Sequence, residues 1–243
     1  LEALADKAAA NDVRDITFLS RAEAVKMEPA LHCTAALLSP STGIIDSHQL
    51  MLAYVGEVED GGGAIAFNAP FEMAKKSPEG FTVEAGGTTV NCRNLINSAG
   101  LEAQAVGAQI PDLPKEHIPP RYLTKGSYFT MTAPSPFSRL IYPVPNTASL
   151  GIHITLDLAG QIRFGPDQEW VEEINYAVNP DRANDFYAAI RRYFPSLPEN
   201  CLIPAYSGIR PKVQSPDGSA ADFMVMDERD HGLPGLVNLF GME

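Results

Sequence analysis

Cysteine is scarce. Cys33, Cys92 and Cys201 are the only three in 243 residues, with no Cys-x-x-Cys pair and no His at ligand spacing. A zinc site needs clustered ligands, so no metal site is expected, and the thiols read as isolated groups in a reducing compartment. Cations are also few: 18 Lys and Arg stand against 30 Asp and Glu, for a net charge of −12. Such a chain repels phosphate backbones and anionic lipid, which argues against generic nucleic-acid or membrane-surface binding. No apolar run approaches the roughly 18 residues of a membrane helix, and no signal-peptide pattern opens the chain. No internal repeat or low-complexity tract occurs. What remains is an ordinary globular mix, 45% apolar and 20% charged. Its length suits one large domain or two lobes sharing a core.

Residues 1–28 read as helix, turn, helix. Ser20-Arg21-Ala22-Glu23 forms a capping box and Pro29 a stop. Residues 31–38 read as a strand and Pro40–Gly43 as a turn. Asp46 then caps a helix in which Leu50, Tyr54 and Val58, with Met51 and Val55 beside them, form one apolar stripe. Gly61-Gly62-Gly63 ends it; these glycines lack Gly-x-Gly-x-x-Gly spacing and precede a strand, so they form no phosphate loop. Short apolar runs at 64–68, 71–75, 81–85, 88–92 and 95–98 predict a meander, and 101–108 a short helix. Beyond the Pro-rich segment 111–120, strands are predicted at 125–132, 139–144, 150–156, 161–164, 201–207 and 223–227. Helices are predicted at about 167–177 and 180–193, the second buried through Phe186, Ile190 and Tyr193. Runs of strands with few helices indicate a mixed, mostly antiparallel sheet, hence an α+β or α/β class.

Three stretches carry chemistry. In Tyr206-Ser207-Gly208-Ile209-Arg210-Pro211, Pro211 holds Arg210 extended and Gly208 permits close approach of a flat ligand. An Arg fixed this way offers a planar fork for a carboxylate, or pairs with a neighbouring acid at the surface. In 150–157, strict alternation puts Leu150, Ile152, Ile154 and Leu156 on one side and Gly151, His153, Thr155 and Asp157 on the other. His153 then lines a pocket and titrates near neutral pH, or faces solvent. In Asn97-Ser98-Ala99-Gly100-Leu101, small residues between a strand and a helix admit a phosphate, or make a plain tight turn.

Taken in order, these stretches resemble the family of FAD-dependent amine and hydroxy-acid oxidoreductases that includes D-amino-acid oxidase and glycine oxidase. The L-2-hydroxyglutarate dehydrogenase/oxidase branch is the nearer likeness. Further matching stretches are 39–46, 125–129, 140–145 and 163–166, so the resemblance runs from about 20 to 243. It implies FAD as cofactor, an incomplete Rossmann-like flavin lobe (1–30, 46–115 and 206–243) and an interleaved substrate lobe (31–45 and 116–205). The family's opening Gly-x-Gly-x-x-Gly motif is missing, as is the turn into a closing helix after Gly241-Met242-Glu243. The expectation is therefore the central and C-terminal part of a longer enzyme, holding FAD poorly as it stands.

The activity implied is oxidation of a small 2-hydroxy acid such as L-2-hydroxyglutarate to the 2-oxo acid, with hydride passing to flavin N5. A glycine- or sarcosine-type amine oxidase and a non-catalytic flavoprotein-like binding module are the alternatives. By resemblance, Arg210 clamps the α-carboxylate and His153 takes the hydroxyl proton. Tyr128 and Tyr142 bond the carboxylate or the nascent carbonyl, and Lys125 and Arg163 are candidates for a distal carboxylate. Thr42, Gly43, Ile44, Ile45 and Gly208 approach the flavin ring; Phe71, Asn97, Ser98, Ala99 and Gly100 lie near the adenine or phosphates; Gly241, Met242 and Glu243 close the cofactor site. The partners implied are a small anionic substrate and an electron acceptor, whether oxygen, a quinone or another flavoprotein. The setting implied is cytoplasmic, at most peripheral to the inner membrane.

Overall fold

The computed structural model describes residues 1–144, 151–219 and 221–242. In chain order the elements are α1 (Glu2–Ala10), β1 (Thr17–Ser20), α2 (Arg21–Met27), β2 (Ala35–Leu38), α3 (Ser47–Asp60), β3 (Phe71–Ser77), β4 (Gly80–Ala85), β5 (Thr88–Cys92) and β6 (Leu95–Asn97). Then follow α4 (Ala103–Ala108), β7 (Tyr122–Met131), β8 (His153–Leu156), β9 (Ile162–Gly165), β10 (Glu169–Val171), α5 (Ala183–Ile190), β11 (Leu202–Lys212), β12 (Met224–Met226), α6 (Glu228–His231) and β13 (Leu236–Phe240). The α+β, mostly antiparallel class is the one expected: β1 with β2, β3 with β4, β4 with β5, β7 with β9 and β10, β8 with β9, and β12 with β13 all pair antiparallel, while β13 pairs with β6 in parallel.

The chain divides into two compact units. The first holds 1–54, 126–168 and 176–208; the second holds 55–125, 169–175 and 209–243. The sequence reading divides the chain instead near 30, 45, 115 and 205. The long strands β7 and β11 contribute residues to both units.

In the first unit, β9 lies between β7 and β8 in antiparallel register. Phe129, Phe164 and Ile154 face one another across the three strands and are completely buried. They pack with Phe186 and Ile190 of α5 and with Tyr193, Phe194 and Leu197 beyond it. The apolar period of α5 follows the helical rule, and its buried stripe is the one predicted. Tyr193 also donates its hydroxyl to the Ile152 carbonyl at 2.9 Å, and burial pushes that phenol's pKa up. The Ser20–Glu23 capping box forms, and its hydrogen bonds lower the Glu23 pKa. Behind α2, the buried Glu28 accepts from the Ser138 amide and hydroxyl and pairs with Arg139 at 3.1 Å. These bonds tie 138–139 to the helix end.

In the second unit, β3, β4 and β5 form the predicted meander. A second sheet has the order β12-β13-β6. Ala74, Phe81, Ile110, Leu113 and Leu236 make its core. Asp227 caps α6 and bonds Arg229, which holds its carboxyl well below the usual range, at about 2.

Several local expectations are corrected. Residues 1–28 contain β1, whose four residues find a partner in β2. The segment 31–38 is strand only from Ala35. Residues 64–68 form a turn and loop, and 139–144 make only an isolated bridge, Ile141 to Ile154. The helix expected at 167–177 is absent: Glu169-Trp170-Val171 pair with Lys125-Thr124-Leu123 as β10, because sheet pairing overrides a weak local helical pattern. The stripe on α3 stays largely exposed, with Met51, Tyr54 and Val58 all open to solvent. Periodicity determines which face is apolar, but not what covers it. Leu150 lies outside the described residues.

Truncating Phe164 to Ala removes the centre of the buried row. The expected loss of stability is about 3–5 kcal/mol, read as a lower urea midpoint. A midpoint within error of the parent would mean that the row is not the core.

Candidate functional site

The register that buries one row lays out another on the opposite face. Thr130, Arg163 and Thr155 face one another across β7, β9 and β8. One step along, Gly165 stands opposite His153. Tyr128 adjoins Gly165: a Cβ there would lie 2.9 Å from the Tyr128 ring and 2.7 Å from the Ser127 carbonyl oxygen, at a φ of +133°. Only glycine leaves room for that ring. Strand alternation thus separates Phe129, Phe164 and Ile154, facing α5, from Tyr128, Arg163, His153 and Thr155. The two-sided reading of 152–156 holds at every described position.

His153 is 7% exposed. The Tyr142 ring stacks on it, centroids 4.2 Å apart and planes 13° apart. Its Nδ1 lies 3.2 Å from the Gly151 carbonyl oxygen. A carbonyl only accepts, so in this contact Nδ1 is the donor. Burial raises the pKa of the Tyr142 hydroxyl, so that phenol stays protonated through neutral pH even though its ring is half exposed.

Tyr142 also borders a cleft of about 570 Å³ within the first unit. Thr42, Gly43 and Ile44 line it, with Leu37, Ser39 and Leu140. That volume is within the ordinary range for small-molecule sites, roughly 300–1,000 Å³. A Cβ built on Gly43 or on Gly208 would meet nothing within 4 Å, so the backbone at both is open to close approach. The expected catalytic His and the expected flavin-facing turn are thereby joined through Tyr142.

Tyr128 stacks on Tyr206, centroids 4.5 Å apart and planes 11° apart. On that Tyr206 ring sits the Arg163 guanidinium, 5.3 Å from the centroid. Asp157 holds Arg163 at 3.2 Å, while its other oxygen accepts the Ala159 and Gln161 amides and closes the turn into β9. The sequence reading did not count Tyr206 among the site residues. The signal was its position two residues before Gly208 on one strand, which puts both on one face.

Other expected residues lie in the second unit. Arg210 is half-buried on β11 and Lys125 is buried on β7. Phe71 begins β3, an edge strand, and its ring packs against the core of that unit. Asn97 is engaged within the fold. Its Nδ2 donates to the Ala103 carbonyl at 2.8 Å and to Asn238 Oδ1 at 3.0 Å, and its Oδ1 accepts the Ala99 amide. The side chain therefore fastens β6 to β13 and to α4. The neighbouring Ser98 and Ala99 are exposed, and Gly100 turns the chain at a φ of +58°. Gly241 has a φ of +71° and Met242 is half-buried; Glu243 lies outside the described residues. Among the described residues no helix is long and apolar enough to cross a membrane.

The family model described as FAD dependent oxidoreductase matches residues 1–243. The mitochondrial L-2-hydroxyglutarate dehydrogenase of Arabidopsis thaliana is 37% identical over 277 residues, covering 96% of this chain and 57% of that protein. The human protein of the same name is 27% identical over 183 residues, covering 69% and 39%. The chain thus spans little more than half the length of the first of these relatives. Among solved structures, L-alpha-glycerophosphate oxidase from Mycoplasma pneumoniae with FAD bound superposes with a TM-score of 0.83 at 20% identity, covering all of this chain and 64% of that one. Glycine oxidase from Bacillus cereus gives 0.73 at 16%, covering 99% and 64%. At these identities the likeness to the solved structures is one of fold.

Asn97→Ala would leave the Ala103 carbonyl and Asn238 Oδ1 without their donor. The expected cost is about 1–3 kcal/mol, measured by urea melting without added flavin. Unchanged stability with weakened flavin binding would return the side chain to a cofactor role.

Proposed function

The chain belongs to the FAD-dependent oxidoreductase family, and we propose that within it this protein oxidises a small 2-hydroxy acid to the 2-oxo acid. The observation that carries the reading is the pairing of His153 with Tyr142 at a cleft lined by Thr42, Gly43 and Ile44. The residues present fit a flavin: the cleft has the right scale, and the backbone at Gly43 and Gly208 is open. Thr42, Gly43, Ile44 and Gly208 would hold the ring. Ser98, Ala99 and Gly100, with Gly241 and Met242, would serve the remainder of the cofactor. When bound, flavin supplies the acceptor for the electron pair leaving the substrate carbon.

The chain's own residues supply the rest. A 2-hydroxy acid reaches the site with its hydroxyl protonated, so its oxidation needs a base. Nε2 of His153 takes that proton while Nδ1 keeps its own at the Gly151 carbonyl. Tyr142, held as a neutral phenol, donates to the oxygen that becomes the carbonyl, and Tyr128 supports the same face. Arg210, extended before Pro211 in the second unit, carries a planar fork suited to a carboxylate. An amine substrate can lose its proton before binding and has less use for His153, which favours the hydroxy acid. The Arabidopsis and human relatives are named for L-2-hydroxyglutarate, a member of this class.

Anaerobic mixing of the flavin-loaded protein with L-2-hydroxyglutarate is expected to bleach the flavin band, whereas sarcosine, glycine and D-amino acids leave it intact. Bleaching by an amine alone would replace this reading with an amine oxidase. Absence of any flavin band would favour a binding module. His153→Ala should slow flavin reduction by roughly 10²–10⁴-fold; an unchanged rate would leave the ring a wall of the pocket. Arg210→Ala should raise KM strongly with flavin retained, and parental kinetics would remove it from the site.

A further inference from the structure

A second cavity, of about 480 Å³, lies wholly within the second unit and has no role in the proposed oxidation. Its volume suits a small molecule. It forms where β10 joins the start of β7. In that antiparallel pair Trp170 stands opposite Thr124, so it shares a face with Tyr122, two residues earlier on β7. The two rings are 6.5 Å apart between centroids with their planes at 88°, and both line the cavity. Both are half-buried, and Trp170 is the only tryptophan of the chain.

Rings set at a right angle make two adjoining walls. A flat ligand can stack on only one of them, whereas a compact tetrahedral group can touch both. The face of an aromatic ring is negative, most strongly for Trp, so the group these walls favour is a cation. An ammonium that keeps its N–H groups also needs hydrogen-bond acceptors when it leaves water; a fully methylated one does not. Val171 and Pro216 add apolar lining.

The charges point the same way. Among the described residues lining the cavity, Arg121 and Glu172 are the charged ones. Arg121 has a carboxylate of its own: its Nη1 donates to Glu102 at 3.3 Å and to the Leu101 carbonyl at 3.1 Å. Glu172 is exposed and has neither an ion pair nor a hydrogen bond among the described residues. One carboxylate is therefore left uncompensated at the cavity. The overall charge of −12 adds a field that draws cations and repels anions.

We propose that this cavity is a binding site for a small quaternary ammonium compound of the choline class, with the methylated head between Trp170 and Tyr122 and Glu172 as its counter-charge. The site does not rest on the oxidation of a 2-hydroxy acid, and either can stand without the other.

Three compounds of one shape test it: choline, its neutral carbon analogue 3,3-dimethylbutanol, and the anion 3,3-dimethylbutyrate. Each is titrated calorimetrically into the protein with flavin present, and Trp170 fluorescence serves as the local reporter. Choline should bind about three- to thirtyfold more tightly than the neutral analogue, the scale of a cation over aromatic faces, and should change the Trp170 emission. The anion should bind least. Trp170→Leu keeps apolar bulk without the ring and should bring choline and the neutral analogue within about twofold of each other. Glu172→Gln should weaken choline about two- to fivefold, the scale of an exposed ion pair, and leave the neutral analogue unchanged. No choline binding, or equal binding of choline and the neutral analogue by the parent, would overturn the proposal. So would tightest binding of the anion, or choline binding that leaves Trp170 emission unaltered. A trimethyl-lysine peptide held more than about tenfold more tightly than choline would overturn the small-molecule assignment in favour of a protein partner. Should Trp170→Leu lose its fold by circular dichroism, Glu172→Gln decides, since that position is exposed and lies beyond the end of β10; parental choline binding there would remove the counter-charge and with it the site.

Discussion

The buried row Phe129–Phe164–Ile154 is the constraint on which the candidate site depends. Three side chains on three strands are fully buried in mutual register, and α5 closes over them. A slip of one residue in any of these strands would turn an aromatic or branched side chain toward solvent and put a polar one into the core. The opposite row is therefore no independent choice. Once Phe164 is buried, Arg163 and Gly165 must face the other way, and so must His153, Thr155 and Tyr128. Hydrophobic burial acts on one face; the chemistry inherits its geometry on the other.

The irregular segments are placed by a different force. Glu28 is buried and fully engaged by Ser138 and Arg139, which brings 138–140 to the border of the cleft. Asp157 does the same for the turn before Arg163, and Asn97 for the end of β6. In each case one side chain satisfies two or three donors or acceptors. Removing it would leave several polar groups unpaired at once, which is why such positions fix loops more firmly than single contacts do.

Much of this was legible in the chain, for identifiable reasons. Alternation across 152–156 and the stripe Phe186, Ile190, Tyr193 are strong periodic signals backed by burial, and both are seen. The capping box at Ser20 is local chemistry and needed no partner. Two of the missed strands required one. β1 exists because Ala35–Leu38 pairs with it, and β10 because Leu123–Lys125 offers an edge. Neither partner is marked in the segment itself. The bonds of Asn97 are equally silent in the sequence: its small neighbours suggest room for a ligand, and nothing in the segment marks that its amide bonds Ala103 and Asn238. Tyr206 was visible only as a residue near a glycine, because a ring stack between two strands leaves no trace in either sequence segment.

A core organised in this way carries no information about the substrate. Any set of side chains on the outer face is compatible with Phe129, Phe164 and Ile154 within, so one fold can serve hydroxy acids, amines or phosphate esters. What distinguishes them has to be read from protons and charges on that face. On that face His153 has its Nδ1 at the Gly151 carbonyl and the Tyr142 ring stacked on its own. Arg163 shares the face, ion-paired with Asp157 and seated on the Tyr206 ring. The register of the core decides that these groups stand together; which molecule they meet is decided by the groups themselves, and any of them can change without disturbing the row behind.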